Sequence, residues 1–379
     1  MRIGTLTMHS QLNYGAVLQA FALRVVLERM GHDAVVIDRW LDAGNRKLLG
    51  PYANLSAMEM LKLLVRGLLG LGAFGVWRRH WRTQSFLQRR FRLTSYHFHT
   101  WNEAPKDLGL DLIVVGSDLV WADTKDGRVL VYLLEGAPPV AAISYASSFG
   151  CRKLRESRMP DYRRGFARFH AIGVRELEGV RLVEEMGFRA MHVVDPVLLA
   201  GPELWKPFAR RRPERLLVCY LVAVKPTDAL SALADYAKST GNRVEVFFDK
   251  CRLHRPLNPF SSVKFSFAAG PEEFLSAVQA ADAMITDSFH GFAFAAMFGK
   301  NVRVLRPDKA WRANIFARIS ELADAVASGP VFADTVASAV ASLKSERPVN
   351  FDSGMLARLA ERSRTWLESA VAEVEGRAR

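Results

Sequence analysis

The chain has 379 residues, of which 50% are hydrophobic, and a formal net charge of +13. This length and apolar content can bury a large core and predict two domains, which excludes a disordered or collagen-like chain. The three cysteines, Cys151, Cys219 and Cys251, lie far apart without CxxC spacing. The sequence therefore predicts neither a disulfide framework nor a zinc site.

The positive charge is concentrated in arginine clusters, within residues 77–92, 152–168 and 210–212. They do not follow a nucleic-acid-binding motif, so no nucleic-acid partner is expected. They fit an anionic substrate or an anionic membrane surface, and a solvated face is the alternative. Because the N-terminus lacks a signal-peptide layout and charges and glycines interrupt residues 61–76, we expect a cytoplasmic protein, soluble or peripheral at the inner membrane face.

The first half of the chain alternates strands and helices. Strands are predicted at 3–7, 34–37, 111–115, 140–145, 172–174 and 192–194. Helices are predicted at 16–30, within 56–92, near 158–170 and between the last two strands. This β-α-β pattern predicts a parallel sheet covered by helices.

The alternation restarts after a break at Gly201, Pro202 and the Pro-bearing segment 206–214. Strands are predicted at 216–221, 244–248, 263–267, 283–286 and 302–305, with helices after Pro226, at 271–280, after residue 288 and at about 354–375. The sequence therefore predicts an α/β fold of two Rossmann-like domains facing a central cleft. The predicted units are residues 1–200, residues 201–350 and a C-terminal helix, 351–379, that packs back on the first domain.

The strand at 283–286 ends in a candidate site. Asp287 and Ser288 break the apolar run, and Ser288 is a natural N-cap for the following helix. His290 and Gly291 then fall in the first helical turn, where unpaired N–H groups favour an anion. Since ligands bind at the carboxyl ends of strands in open sheets, His290 is a candidate catalytic group. The alternative is a histidine satisfied inside a core helix.

Polar residues also follow the first strand. Asn13 can cap the first helix, and Gly15 lets a ligand approach that helix closely. Gln19 is the one polar residue in an apolar run, so it either faces the cleft or forms the exposed edge of a packed helix. The GxGxxG fingerprint of dinucleotide binding is missing.

Two further strand ends carry functional groups. Gly116, Ser117 and Asp118 form a tight turn whose carboxylate can bind a sugar hydroxyl, or that is a structural Asx-type turn. Arg175 ends an apolar strand and offers a planar fork to a carboxylate or phosphate. Its competing role is an ion pair with Glu176 or another acid.

Six motifs in this order carry a family resemblance. They are NYGAVLQ at 13–19, DLIVVGSD at 111–118 with Trp121, ASSFG at 146–150, VRE at 174–176, DPVLL at 195–199 and TDSFHG at 286–291. Over residues 1 to about 320 the chain resembles the polysaccharide pyruvyl transferase family. The resemblance implies a glycosyltransferase-B-like (GT-B-like) fold with an acceptor-side first domain and a donor-side second domain.

The resemblance also implies an activity. Such enzymes transfer the pyruvyl unit of phosphoenolpyruvate onto two hydroxyls of a sugar, which forms a cyclic ketal on an exopolysaccharide or cell-surface glycan precursor. His290 would then protonate the methylene carbon, Arg175 would hold the donor anion, and Asp118 or Asp287 would take the hydroxyl protons. No metal and no cofactor beyond phosphoenolpyruvate as co-substrate are implied. The acceptor can be lipid-linked, polymeric or nucleotide-bound.

The sequence departs from the family pattern at three places. Leu119 replaces a usual glutamine, Ala122 replaces a frequent asparagine, and Ser288 stands where some relatives carry arginine. Arg303 and Arg318 are candidates to replace that arginine.

Two other functions fit the same fold. One is a glycosyltransferase that uses a nucleotide-sugar donor, and the other is a catalytically silent glycan-binding protein of a polysaccharide pathway.

The residue pattern of the helical region 77–92 leads to a separate hypothesis, that this helix binds a membrane surface. Trp77 and Trp81 lie four residues apart, with Leu87 and Phe91 not far around the helix, among six arginines. This pattern fits a helix lying in an anionic membrane interface. The alternative is an aromatic face packed on the first domain, with the arginines in water.

Overall fold

The structure is a computed structural model that describes residues 1–39, 58, 65, 73–124, 127–210, 215–224, 230–248, 262–307 and 310–378. The first sheet contains β1 (Arg2–Leu6), β2 (Asp33–Arg39), β3 (Leu93–Phe98), β4 (Leu112–Val115), β5 (Ala141–Ser147), β6 (Phe169–Val174) and β7 (Met191–His192). The second contains β8 (Leu216–Leu221), β9 (Arg243–Phe248), β10 (Val263–Phe265), β11 (Ala283–Thr286), β12 (Asn301–Leu305) and β14 (Phe332–Ala333). A small antiparallel pair joins β13 (Ala327–Ser328) to β15 (Asn350–Phe351).

Helices connect these strands. In the first half they are α1 (Tyr14–Arg29), α2 (Ala73–Arg90), α3 (Val129–Tyr132), α4 (Met159–Phe166), α5 (Leu177–Glu185) and α6 (Pro196–Leu199). In the second half they are α7 (Leu230–Thr240), α8 (Pro271–Ala280), α9 (Phe289–Met297), α10 (Ala310–Val326), α11 (Val336–Ser345) and α12 (Ser353–Ala378). Short 3₁₀ turns cover Trp101–Glu103, Glu156–Arg158, Pro202–Leu204 and Lys206–Phe208. Within the described ranges, no helix is both long enough and apolar enough to cross a membrane.

Both large sheets are parallel, and each has one point where the strand order reverses. The first runs β3-β2-β1-β4-β5-β6-β7 and reverses between β1 and β4. The second runs β10-β9-β8-β11-β12-β14 and reverses between β8 and β11. At such a point the helices leave in opposite directions and open a crevice at the carboxyl ends of the strands.

The predicted α/β architecture with two parallel-sheet domains is confirmed. Strand β8, strand β11 and helix α8 have the predicted bounds, because their apolar runs end at clear polar or Gly-Pro boundaries. The division at residues 200 and 350 stays a prediction.

Several predicted boundaries were wrong. Strand β5 continues to Ser147 rather than stopping at 145, and α4 ends at Phe166, so that β6 begins at Phe169. The seventh strand is Met191–His192 rather than 192–194, β10 stops at Phe265 rather than 267, and β3 was not predicted. β3 was missed because its sequence, LTSYHF, is polar and edge-like. The Pro-bearing segment 250–262, which its sequence predicts to be a loop, lies mostly outside the described residues, as do parts of the predicted helical region 56–92.

The two domains share core. One hydrophobic cluster contains side chains of both, and Tyr14 at the start of α1 stacks on Phe274 of α8 with ring centroids 4.6 Å apart. The Tyr14 hydroxyl also donates to the carbonyl of Ala269 at 2.9 Å. These contacts fix the N-terminal end of α1 against the second domain. The C-terminal helix contacts the first domain, where the Val194 N–H donates to Ser363 Oγ at 3.0 Å.

Candidate active site

His290 lies where the second sheet reverses its strand order. It follows β11 and falls in the first turn of α9, whose N-cap is Ser288, as predicted. The Ser288 hydroxyl accepts from the N–H of Gly291 at 3.4 Å. The His290 side chain is 8% exposed. A titratable ring is therefore held at the edge where ligands bind in this class of sheet.

Gly15 brings the first domain against this histidine. The predicted N-cap Asn13 is confirmed, since its Oδ1 accepts from the N–H of Ala16 at 2.9 Å. A Cβ placed on Gly15 would lie 2.8 Å from Cε1 of His290 and closer still to Nδ1 and Cγ. The room next to Gly15 is thus filled by the imidazole rather than left for a ligand. The reversal points of the two sheets meet here.

Asp195 is the centre of the polar cluster. Its Oδ2 accepts from Nη1 of Arg175 at 2.7 Å and from the Ser117 hydroxyl at 3.1 Å. Nε2 of His290 lies 3.4 Å from the same oxygen, without the alignment of a hydrogen bond. The other oxygen accepts from the N–H of Val197 and caps α6. One buried carboxylate thus connects the predicted arginine with the predicted histidine.

The charges in this cluster depend on each other. Burial alone would raise the pKa of Asp195, but the neighbouring His290 imidazole and Arg175 guanidinium outweigh it and hold the pKa of this carboxyl well below its usual range. Burial opposes the charge on Arg175, yet Asp195, Asp118 and Glu176 raise its pKa. Asp195 is therefore ionised and Arg175 charged at neutral pH.

Arg175 has the ion pair that was the competing interpretation of its sequence, but the partners are Asp195 and Asp118. Nη2 lies 3.4 Å from Oδ1 of Asp118, and the guanidinium carbon lies 4.8 Å from the centre of the Phe289 ring. Glu176 instead accepts from the Ser148 hydroxyl and two backbone N–H groups.

Three buried polar atoms of this cluster lack a hydrogen-bond partner among the described residues. They are Nε2 of His290, Nε of Arg175 and Oε2 of Glu176. Buried polar atoms are normally paired, so a concentration of unpaired ones is typical of a place that binds water or a ligand. The cluster has two donors that can serve an anion, because Arg175 Nε carries a proton and His290 does so when charged.

A second arginine reaches the cluster from α10. Nη1 of Arg318 donates to the Ser148 hydroxyl at 3.1 Å, and its guanidinium carbon lies 5.8 Å from the Phe289 ring centre. Burial and the charge of Arg175 lower the pKa of Arg318 to about 10. Of the two candidate replacement arginines, Arg318 is at the site. Arg303 is directed elsewhere, with donors to Ser342, Asn301 and backbone carbonyls.

Gln19 is fully buried, so the exposed-edge alternative was wrong. Its Nε2 donates to the Thr7 hydroxyl at 2.9 Å, and its Oε1 accepts from the N–H of Ser117 at 3.3 Å. Ser117 in turn donates to Asp195. Gln19 therefore positions the turn after β4. Gly116 has φ 122° there, and a Cβ on it would overlap the Tyr145 carbonyl.

Asp287 lies apart from this network. Its carboxylate accepts from the N–H groups of Val222, Ala223 and Val224 at 2.6 to 2.8 Å. Burial raises its pKa, although these three donors act in the opposite direction. Three donors use most of its acceptor capacity, so Asp287 anchors the loop after β8.

Asp195 and Ser148 were not predicted from the sequence as site residues, and Arg318 was named only as one of two candidates to replace a family arginine. Asp195 could have been found, because it is a carboxylate at a predicted strand end, the criterion that selected Arg175. Ser148 belongs to the ASSFG motif. Arg318 gives no such signal, since it lies inside a helix and reaches the site through tertiary packing.

Comparison with known proteins agrees with this geometry. A family model described as polysaccharide pyruvyl transferase matches residues 13–309. The chain belongs to the polysaccharide pyruvyl transferase family. This is a family of transferases, and membership implies a sugar or glycan acceptor. A search of curated proteins found no match.

Solved structures share the fold at low sequence identity. The UDP-GlcNAc 2-epimerase of Methanocaldococcus jannaschii is 12% identical over 93% of this chain and 95% of its own, with a TM-score of 0.50. A putative UDP-N-acetylglucosamine 2-epimerase of Listeria monocytogenes is 10% identical over 86% and 87%, with a TM-score of 0.49. The SsfS6 glycosyltransferase of Streptomyces sp. SF2575 is 15% identical over 100% of both chains, with a TM-score of 0.41. The Methanocaldococcus jannaschii structure shares the predicted fold class of two α/β domains with parallel sheets.

Proposed function

We propose that this pyruvyl transferase family member moves the pyruvyl unit of phosphoenolpyruvate onto two hydroxyls of a sugar, forming a ketal on an exopolysaccharide or cell-surface glycan precursor. The observation that carries the proposal is the unpaired, buried Nε2 of His290, held 3.4 Å from Asp195 and beside Arg175. An acid with a nearby cation is what protonation of an anionic enol ester requires.

His290 protonates the methylene carbon of phosphoenolpyruvate, which becomes the methyl group and leaves an oxocarbenium-like centre at the neighbouring carbon. One sugar hydroxyl attacks that carbon, the bond to the phosphate oxygen breaks, and the second hydroxyl closes the ketal. One hydroxyl proton restores the acid and the other leaves with phosphate or solvent. Asp195 stabilises the protonated imidazole and fixes its position before reaction.

Arg175 and Arg318 are the proposed cations for the donor. Nη1 and Nη2 of Arg175 face Asp195 and Asp118, so its unpaired Nε is the donor that remains for the substrate. The guanidinium of Arg318 lies near the same aromatic ring, that of Phe289, and supplies the second positive charge. It replaces the arginine that some relatives carry at the position of Ser288. The N-terminus of α9 adds its dipole.

Asp118 is the better placed of the two candidate bases. Its carboxylate belongs to the Arg175 cluster and its side chain is 16% exposed. Asp287 is occupied by three N–H groups. The proposal needs phosphoenolpyruvate as co-substrate and no resident metal or cofactor, because side-chain cations neutralise the phosphate.

The test is incubation of the full chain with phosphoenolpyruvate and a panel of acceptor glycans. Inorganic phosphate release that requires an acceptor, together with a pyruvyl mass gain on the glycan, is the expected result. Nucleoside diphosphate release from a nucleotide sugar would identify a glycosyltransferase instead. Glycan binding without either release would identify a silent binding protein.

A further inference from the structure

Helix α2 leaves two tryptophans in solvent. Trp77 is 42% exposed and Trp81 is 45% exposed, and their rings meet edge to face with centroids 5.8 Å apart. The described part of the chain has six exposed large hydrophobic residues, and four of them fall between residues 58 and 81. Helical Met58 and Val65 are the other two of these four. The two adjacent, exposed indole rings of Trp77 and Trp81 form an apolar surface of the kind that marks an interaction site.

The same side of α2 is basic. Arg78 is exposed next to Trp77, and Arg82 is exposed next to Trp81. Arg82 also donates to the Ala268 carbonyl at 2.7 Å and lies 3.3 Å from Glu273. The surface formed by Trp77, Arg78, Trp81 and Arg82 is called the Trp–Arg face below.

The opposite side of the helix is buried, which corrects part of the sequence hypothesis. Phe86, Leu87 and Phe91 pack in the core of the protein and are not available to a partner. Arg79 is also buried, and its Nη1 donates to the Phe248 carbonyl at 2.6 Å. The helix is therefore held rigidly, with the Trp–Arg face directed outward.

We propose that the Trp–Arg face binds the surface of an anionic phospholipid bilayer. Indole rings favour the headgroup region, where their apolar body and polar N–H are both accommodated, and guanidinium groups bind lipid phosphates. A net charge of +13 adds attraction to such a surface. A second copy of the chain is a poorer occupant, because a two-fold contact through this face would bring like arginines together.

Membrane binding here would place the reactive cluster near lipid. The guanidinium of Arg79 lies 4.1 Å from the centre of the Tyr14 ring, and Tyr14 precedes Gly15, which contacts His290. Helix α2 thus stands beside the end of α1 that forms the site. This arrangement suits an acceptor carried on a lipid, although membrane binding itself does not depend on the proposed reaction.

The test is sedimentation of the full chain with vesicles of phosphatidylcholine alone and of phosphatidylcholine with phosphatidylglycerol. The wild-type protein should bind the anionic vesicles and should dissociate from them as the salt concentration rises. Trp77→Ala with Trp81→Ala should weaken binding at least about tenfold, and Arg78→Gln about fivefold. The matched controls are Leu177→Ala, at a residue 57% exposed, and Arg377→Gln, at a side chain 62% exposed.

Three results would overturn the proposal. The first is equal binding of wild type to neutral and anionic vesicles at low salt. The second is full binding by the folded double tryptophan variant, with folding checked by its melting temperature. The third is a wild-type dimer in sedimentation equilibrium that the double variant abolishes, which would show that a second copy covers this face.

Discussion

Gly15→Ala tests the contact between the two domains at His290. The change adds one methyl group where α1 meets the imidazole. A Cβ there would lie 2.8 Å from Cε1 and closer to Nδ1 and Cγ, while ordinary contacts begin at 3.4 Å. The His290 side chain is only 8% exposed, so it is enclosed by protein on nearly all sides. Either His290 or α1 must move by about 1 Å.

A displacement of that size should lower turnover by about 10²-fold, because reacting groups must be held within a fraction of an ångström. The effect on stability should be smaller. Overpacking lowers the free energy of unfolding by about 1–3 kcal/mol, and the higher helix propensity of alanine offsets about 1 kcal/mol of this loss. We therefore expect a folded protein with a melting temperature within a few degrees of wild type and a large loss of activity.

The assay is acceptor-dependent phosphate release, followed beside a thermal melt. Gly376→Ala is the matched control, since Gly376 lies in helix α12 with no atom within 4 Å of a built Cβ. That control should keep full turnover. Gly15→Ala combined with His290→Ala should be no slower than His290→Ala alone. Wild-type turnover by the Gly15→Ala protein would refute the contact as a requirement for catalysis.

Three other changes follow from the site, and a fourth follows from the partly buried Glu321 on α10, whose carboxylate accepts from the N–H of Leu177. His290→Ala should lower turnover about 10²–10⁴-fold with the fold intact. Arg175→Ala should weaken phosphoenolpyruvate binding in a calorimetric titration and cost about 3–5 kcal/mol of stability, because it leaves Asp195 buried without its partner; lysine should restore part of both. Arg318→Gln should raise KM for phosphoenolpyruvate about tenfold or more and leave KM for the acceptor unchanged. Glu321→Gln should stabilise the protein above pH 7, by about 1–2 kcal/mol in denaturant unfolding, because burial raises the pKa of Glu321 to about 7.

The sign of the Glu321 effect follows from linkage. A carboxyl whose pKa is higher in the folded protein favours folding below its unfolded value of 4.5, and this contribution is lost as pH rises through 7. The side chain is 26% exposed, so solvent screening reduces the effect. Equal stability of the variant and wild type at pH 5 and at pH 8 would contradict this assignment.

Each of the first three variants has an outcome that rejects its role. Unchanged turnover by folded His290→Ala would exclude it as the acid. Equal donor affinity in Arg175→Ala and wild type would leave Arg175 a structural ion pair. A parallel rise in both KM values for Arg318→Gln would point to general disruption of the site. Arg306→Gln is a suitable control, because Arg306 pairs with exposed Asp334 and is 50% exposed itself.

The sequence alone determined where the main strands lie along the chain and which residues form the two helix caps at the site. Apolar runs such as 216–221 and 283–286 are buried on both faces, so their composition identifies them without tertiary information. Asn13 and Ser288 cap helices through their own local backbone, which makes them predictable. The local sequence was sufficient to predict a strand or a helix cap wherever the stabilising contacts join residues that are close together in the chain.

Only the tertiary structure decided which polar groups meet. Asp195 is 20 residues from Arg175 and 95 from His290 along the chain, yet one of its oxygens faces both. Arg318 reaches the same cluster from helix α10, which lies late in the sequence of the second domain. Asp287, three residues before His290, is turned away to three N–H groups after β8. Parallel sheets bring distant strand ends to one edge, and neither the strand order nor the packing of two domains is encoded in local periodicity.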